Sequence, residues 1–392
     1  MRRFITIFFL IFLLRSHALE CSRLFGSGMV LPADREVVIT GRGADPAGLS
    51  VEFSGHRVTG KVDANGEWSA TLPAMPASGT GQQMEIRSGS KQLILDDILI
   101  GEVWLCAGQS NMDFSLGRAV GGKPEAEKAS DRTQIRLMNW TGVHTANRAY
   151  QPAELARMEP DRYFQGQWQR ADPSSASAFS AVGWWAGRMI HESSRVPIGL
   201  IDVSVGGSGA EAWLPSEVLQ ARPVYTTLLG KEWIESERVS AWARGRARLN
   251  IGENGVNHPF RPGFLFDAGV RPWRGFPLSG VLWYQGETNA EIHDDEWNER
   301  LITDMVLGWR RVLEAPKLPF FMVQLPRIGG NDPLRQWWPQ FRQVQARAAA
   351  KLDGVELVVT EDLGWDSPDV HPPDKKPVGE RLGQAVLTER NR

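Results

Sequence analysis

Gly101-Glu-Val-Trp-Leu-Cys-Ala-Gly-Gln-Ser-Asn-Met112 is the stretch on which the fold turns. Its first seven residues form a largely apolar run, the pattern of a strand buried in a sheet. Gly108–Met112 then falls where that strand is expected to turn into a helix. A serine held there points its hydroxyl into the crevice above the sheet. Its N–H joins the unpaired donors of a helix start, which favour developing negative charge.

Working outward, further apolar strands are expected at Gly199–Val205, Gly280–Tyr284, Phe320–Leu325 and Val355–Thr360. Helical patterns lie between them. Val182, Trp185, Ala186, Met189 and Ile190 share one face, and Trp297, Leu301, Met305, Trp309 and Val312 share another. A third helix is expected to start near Pro339 and a fourth to cover 377–388. This alternation predicts a doubly wound α/β domain with a parallel sheet over 98–392. Segments 114–175 and 216–275 lack clean periodicity and read as irregular insertions over the sheet's functional edge.

Upstream, residues 19–97 read as a small β-sandwich. Short strand patterns occur at Val37–Thr40, Leu49–Phe53, Arg57–Val62 and Met84–Arg87, and Asn65-Gly66 is a type I′ hairpin signal before Glu67–Ala70. Residues 1–18 have the layout of a signal peptide. Arg2 and Arg3 precede an apolar stretch, and Ser16-His17-Ala18 supplies small residues for cleavage after Ala18. Export to the periplasm or the medium is the expectation, with no membrane span in the mature chain. Cys21 and Cys106 are the two cysteines, and the sequence leaves open whether they pair.

The 392 residues carry a net charge of −2, which gives no basic footprint and argues against a nucleic-acid partner. Sixteen tryptophans offer flat apolar faces suited to sugar rings, although filling the core is the favoured reading for most of them. His56, His144, His191, His258 and His293 show no metal-ligand spacing, so neither metal nor cofactor is expected.

Four segments at strand ends carry candidate chemistry. The first holds Ser110 between Gln109 and Asn111. The second, Val205-Gly-Gly-Ser-Gly-Ala-Glu-Ala-Trp213, places Gly206 and Gly207 where a backbone N–H can face a ligand oxygen. The third, Trp283-Tyr-Gln-Gly-Glu-Thr-Asn289, offers Glu287 and the Asn289 amide, a residue type that also suits a helix cap. The fourth is Asp366-Ser-Pro-Asp-Val-His-Pro372, where a carboxylate near His371 would hold the imidazole in one tautomer to take a serine proton. The crevice at the carboxyl ends of parallel strands would collect all four. No G-x-S-x-G elbow is present.

These blocks, together with Asp369-Val-His-Pro372 and Pro377-Val-Gly-Glu-Arg-Leu382, resemble the sialate O-acetylesterase family of the SGNH hydrolases, in the family's order along nearly the whole mature chain. The resemblance implies a flavodoxin-like three-layer α/β/α core and removal of acetyl groups from acetylated sugars. Ser110 matches the nucleophile, His371 the general base and Asp369 the acidic position. Elsewhere among SGNH hydrolases the acid lies three residues before the histidine, where this chain has Pro368. The orienting group is therefore Asp369, Asp366 or a backbone carbonyl. Val205 and Ser208 stand where relatives often carry Trp and Thr.

The reaction expected is acyl transfer through Ser110 and His371. Its oxyanion would rest on the Ser110 N–H, an N–H of Gly206 or Gly207, and the Asn289 side chain, with Gln109 and Glu287 close to substrate. Acetylxylan or another plant glycan is the alternative substrate to sialate. Two other classes compete: a glycosidase using Glu287 with a second carboxylate, and a non-catalytic carbohydrate-binding protein using tryptophan platforms. The sequence does not specify an oligomeric state.

Overall fold

The computed structural model describes residues 18–252 and 257–390; the signal-peptide reading of 1–18 lies outside them except for Ala18. Strands β1 (Glu20–Cys21), β2 (Val30–Pro32), β3 (Val37–Arg42), β4 (Leu49–Phe53), β5 (His56–Val62), β6 (Trp68–Leu72) and β7 (Ser78–Ser88) build the N-terminal region. They are followed by β8 (Lys91–Gly108), β9 (Ile135–Asn139), β10 (Trp168–Arg170), β11 (Ile198–Asp202), β12 (Gly280–Tyr284), β13 (Phe320–Val323) and β14 (Val355–Val358). Pairing in the N-terminal region is antiparallel except for β2, which runs parallel to β8.

The hairpin at Asn65-Gly66 is present, but its turn is not type I′. Gly66 has φ 79° while Asn65 has no positive φ. Gly66 N–H bonds back to the Asp63 carbonyl, and Asp63 N–H bonds to the Glu67 carbonyl. This is a three-residue loop closed by a glycine bulge. The Asp63 side chain selects it by accepting the N–H groups of Asn65 (2.8 Å) and Glu67 (2.9 Å).

The expected boundary at 97/98 falls inside an unbroken strand. β8 pairs with β7 through its first half and enters the central sheet with its second. The chain bends there: Asp97 takes φ 58°, and its carboxylate is held by Arg136 (3.0 Å) and Arg170 (2.6 Å).

In the central sheet β9, β11, β8, β12, β13 and β14 lie side by side and parallel, with β10 antiparallel at the β9 edge. Alternate side chains enter two apolar clusters. Val103, Leu105, Val281, Trp283, Phe320 and Met322 join Leu301, Met305 and Trp309 of the helix Asp295–Val312, with Phe341 and Val344 of the helix Trp338–Ala350. Trp104, Cys106, Leu282, Tyr284, Phe321 and Val323 join Val182 and Trp185 of the helix Ala181–Ser194, with Leu382 and Val386 of the helix Lys376–Arg390. The result is a mixed α/β protein with a large sheet whose strands are buried on both faces, as the apolar runs require.

Most of the tryptophans are core. Trp213, Trp283 and Trp309 meet edge to face or tilted at 5.6–6.2 Å, each such pair adding about 0.5–1.5 kcal/mol beyond its burial. Trp309 Nε1 also donates to the Trp213 carbonyl at 2.7 Å, tying the segment after β11 to the helix Asp295–Val312. Cys106 is buried and Cys21 partly so, and both are free thiols.

Candidate active site

β8 sits between β11 and β12, so the chain leaves the sheet in opposite directions on its two sides. The carboxyl ends of these three strands open into one crevice, the place where such sheets bind ligands. Gly108 closes β8 with φ 136°, and a Cβ there would collide with the Tyr284 carbonyl oxygen. Only glycine brings the next residues so close to β12. Beyond it Met112 N–H and Asp113 N–H both return to the Gln109 carbonyl, at 2.9 and 3.0 Å. The expected helix is thus a single turn. It stops because Ser115 is extended (ψ 146°) and bridges to Ser180.

Ser110 stands on this turn, half-buried, with its Oγ 2.9 Å from His371 Nε2. His371 Nδ1 lies 2.8 Å from Asp369 Oδ1, and the same oxygen accepts the His371 backbone N–H at 3.0 Å. Asp369 is therefore the carboxylate that meets the histidine; Asp366 Oδ1 packs against Gly329 instead. Trp365 Nε1 donates to the Asp369 carbonyl at 2.7 Å and steadies the loop.

A cavity of about 650 Å³ opens above Ser110 and His371. Gln109, Gly206, Gly207 and Glu287 line it, as do residues 139–145, Tyr163, Trp242 and Arg246 from the irregular insertions. Asn289 does not reach it. Its side-chain oxygen accepts from Ala210 N–H (2.8 Å) and from Gln285, and its amide donates to Glu211 Oε2 (3.2 Å). Both ends of that amide are engaged in a buried cluster below the cavity. Gln109 ties loops together, its Oε1 accepting from Gln285 Nε2 (3.1 Å) and Thr288 N–H (3.3 Å).

Glu287 is buried and reaches across to the serine turn. Its Oε1 accepts the Asn111 amide, and its Oε2 has no protein partner. Burial pushes its carboxyl above the usual range, against the pull of Asn111, Lys375 and His371. Asp113 is exposed to the cavity. Partial desolvation and the charge of Asp202 raise its carboxyl above the usual range, while Arg118 and the Gly206 N–H pull it down.

Lys375 is a site residue that the sequence reading missed. It is buried, its ammonium donates to Asn111 Oδ1, and it lies 4.9 Å from the Phe114 ring centre. Asn111 in turn donates to the Val370 carbonyl at 2.8 Å, so Lys375 and Asn111 clamp the histidine loop to the serine turn. The contact spans 264 residues, and a lysine beside another in a polar loop gives no local signal of burial. Burial brings the Lys375 amine down to about 7, opposed by Glu287, Asp369 and Asp374 and reinforced by Arg118.

Lys375→Met is expected to lower kcat by about tenfold, because the buried hydrogen bond that positions Asn111 and, through it, the histidine loop is lost. The folded lysine is neutral above about pH 7. The unfolded lysine holds its proton to about pH 10. Folding then releases a proton between those values, so the parent's stability relative to the Met variant should rise from pH 7 to 10. Urea unfolding at both ends of that interval checks the sign.

The profile of the carbohydrate esterase, sialic acid-specific acetylesterase family matches residues 100–242 and 264–388. The mouse and human sialate O-acetylesterases are each 26% identical over 83% of this chain, which spans 64% and 61% of their lengths. A carbohydrate acetylesterase from Xanthomonas citri superposes with a TM-score of 0.75 at 29% identity, over 94% of this chain and 74% of that one. With a profile match over more than half its length, the chain belongs to the carbohydrate esterase, sialic acid-specific acetylesterase family.

Proposed function

We propose that this protein is a serine esterase that removes O-acetyl groups from acetylated carbohydrates. The observation that carries the reading is the hydrogen-bonded run from Ser110 through His371 to Asp369, opening on a cavity wide enough for a sugar. Ser110 Oγ attacks the acetyl carbonyl as His371 Nε2 takes its proton, general-base help worth roughly 10²–10⁴-fold. Asp369 steadies the imidazolium that forms. The oxyanion is assigned to the N–H groups of Ser110 and Gly206. Gly206 N–H faces the Asp113 carboxyl in the free protein. Asn289 is left out of the oxyanion site because it does not line the cavity and its amide is held by Glu211 below it. His371 then returns the proton to the departing sugar hydroxyl, and water activated by the same imidazole releases acetate.

The wider setting is read as a flavodoxin-like SGNH α/β/α core carrying an N-terminal β-sandwich, in a chain exported by its N-terminal segment. Both apolar clusters flanking the sheet support the first part. The acetyl group is placed on a sialate or on a plant glycan such as xylan. Acetate release from 9-O-acetylated sialic acid, acetylated xylan and 4-nitrophenyl acetate tests the reading. Release from the aryl ester and at least one glycan is expected. Failure on all three by folded protein would overturn it.

A further inference from the structure

Two of the tryptophans break the core pattern. Trp242 is 43% exposed and Trp337 is 39% exposed. Trp242 lines the cavity, its ring resting on Gly207 where any Cβ would collide with it. Its neighbours are the Phe260 ring at 5.8 Å and the Arg246 guanidinium at 5.2 Å.

Trp337 lies outside the cavity on the same wall. Ser240, which caps the helix bearing Trp242, hydrogen-bonds Glu291. Glu291 pairs with Arg335 at 3.0 Å, and both line the cavity. Two residues on, Trp337 stacks on His293 with ring centres 4.4 Å apart and planes 29° from parallel. The imidazole backs one indole face, and the buried Trp338 anchors the chain beside it. An indole ordered on one side and open to water on the other is a prepared platform.

We propose that Trp337, backed by His293, is a second saccharide subsite, so that the substrate is an O-acetylated oligosaccharide or polysaccharide and not a lone sugar. The inference rests on the esterase reading and names its substrate class. Two single rings separated by an ion pair suit a ligand that alternates apolar C–H faces with hydroxyl edges. The Arg335 and Glu291 heads can donate to and accept from hydroxyls between the rings. The ion pair between the rings suits a hydroxyl-bearing ligand better than the apolar centre of a protein interface.

The test compares Trp337→Ala and Trp337→Phe with the parent on acetylated xylotetraose and O-acetylated sialyllactose, each against its own acetylated monosaccharide, and on 4-nitrophenyl acetate. For the better oligosaccharide, Trp337→Ala should raise KM about tenfold, a stacking contribution of ordinary size. Phe should restore most of the loss, and the monosaccharides and aryl ester should stay within about twofold. An equal loss on all substrates, or none on either oligosaccharide, overturns the subsite. If the parent hydrolyses no ester, the esterase reading falls. Calorimetric titration of the same oligosaccharides into parent and Trp337→Ala protein then decides the subsite alone: weaker binding by the variant supports it and equal binding overturns it.

Discussion

Ser110→Ala is expected to lower kcat/KM on every acetyl ester by about 10⁴-fold or more, the usual cost of losing the nucleophile of a cooperating set. The fold should survive. The deleted hydroxyl is bonded to His371 at 2.9 Å on a half-buried turn whose geometry comes from Gly108 and the Gln109 carbonyl. Removing it leaves no cavity in either apolar cluster, so a stability change within about 1 kcal/mol is anticipated. Acetate release and thermal unfolding of the same preparation check both halves. Turnover above about 1% of the parent by a folded variant would contradict the role given to Ser110.

Asp369→Asn should cost about 10²–10³-fold in kcat/KM. In the parent one carboxylate oxygen accepts both the imidazole Nδ1–H and the backbone N–H of His371. An amide keeps the shape but loses the charge that stabilises the imidazolium, and it can present its NH₂ and select the wrong tautomer. The carboxylate side chain is 57% exposed, so water screens it and the loss falls below that of a fully enclosed acid. Asp366→Asn should leave kcat/KM within about twofold, because its carboxylate packs on Gly329 and not on His371. Initial rates on 4-nitrophenyl acetate separate the two. A large loss at Asp366 with none at Asp369 would reassign the orienting group.

The parallel strands were legible because burial on both faces demands apolar runs, and Val281–Tyr284 divides its side chains between the two clusters as that demands. Ser110 was legible for a related reason, since it follows β8 at the reversal of the sheet; the loop bearing His371 follows the edge strand β14 and is drawn over Ser110 by the Asn111 and Lys375 contacts. Asn289 was not legible, since residue type says that an amide can donate but not that Glu211 already holds it. Lys375 was hidden by its distance along the chain from Asn111, and Trp242 by the need for Gly207 beneath its ring. The Asn65-Gly66 turn was misread because an aspartate two residues upstream captured the loop's N–H groups. The boundary expected at 97/98 falls within one continuous strand, which bends where Arg136 and Arg170 hold Asp97 in a left-handed conformation.

The claim that Ser110 is the nucleophile of an acetylesterase is tested most directly by covalent capture. A fluorophosphonate is incubated with active protein, residual acetate release is followed, and the adduct is located by peptide mass spectrometry. One phosphonate on the peptide bearing Ser110, rising in step with the loss of activity, is the predicted result. Complete inactivation with Ser110 unmodified, or an adduct on another side chain, would contradict it.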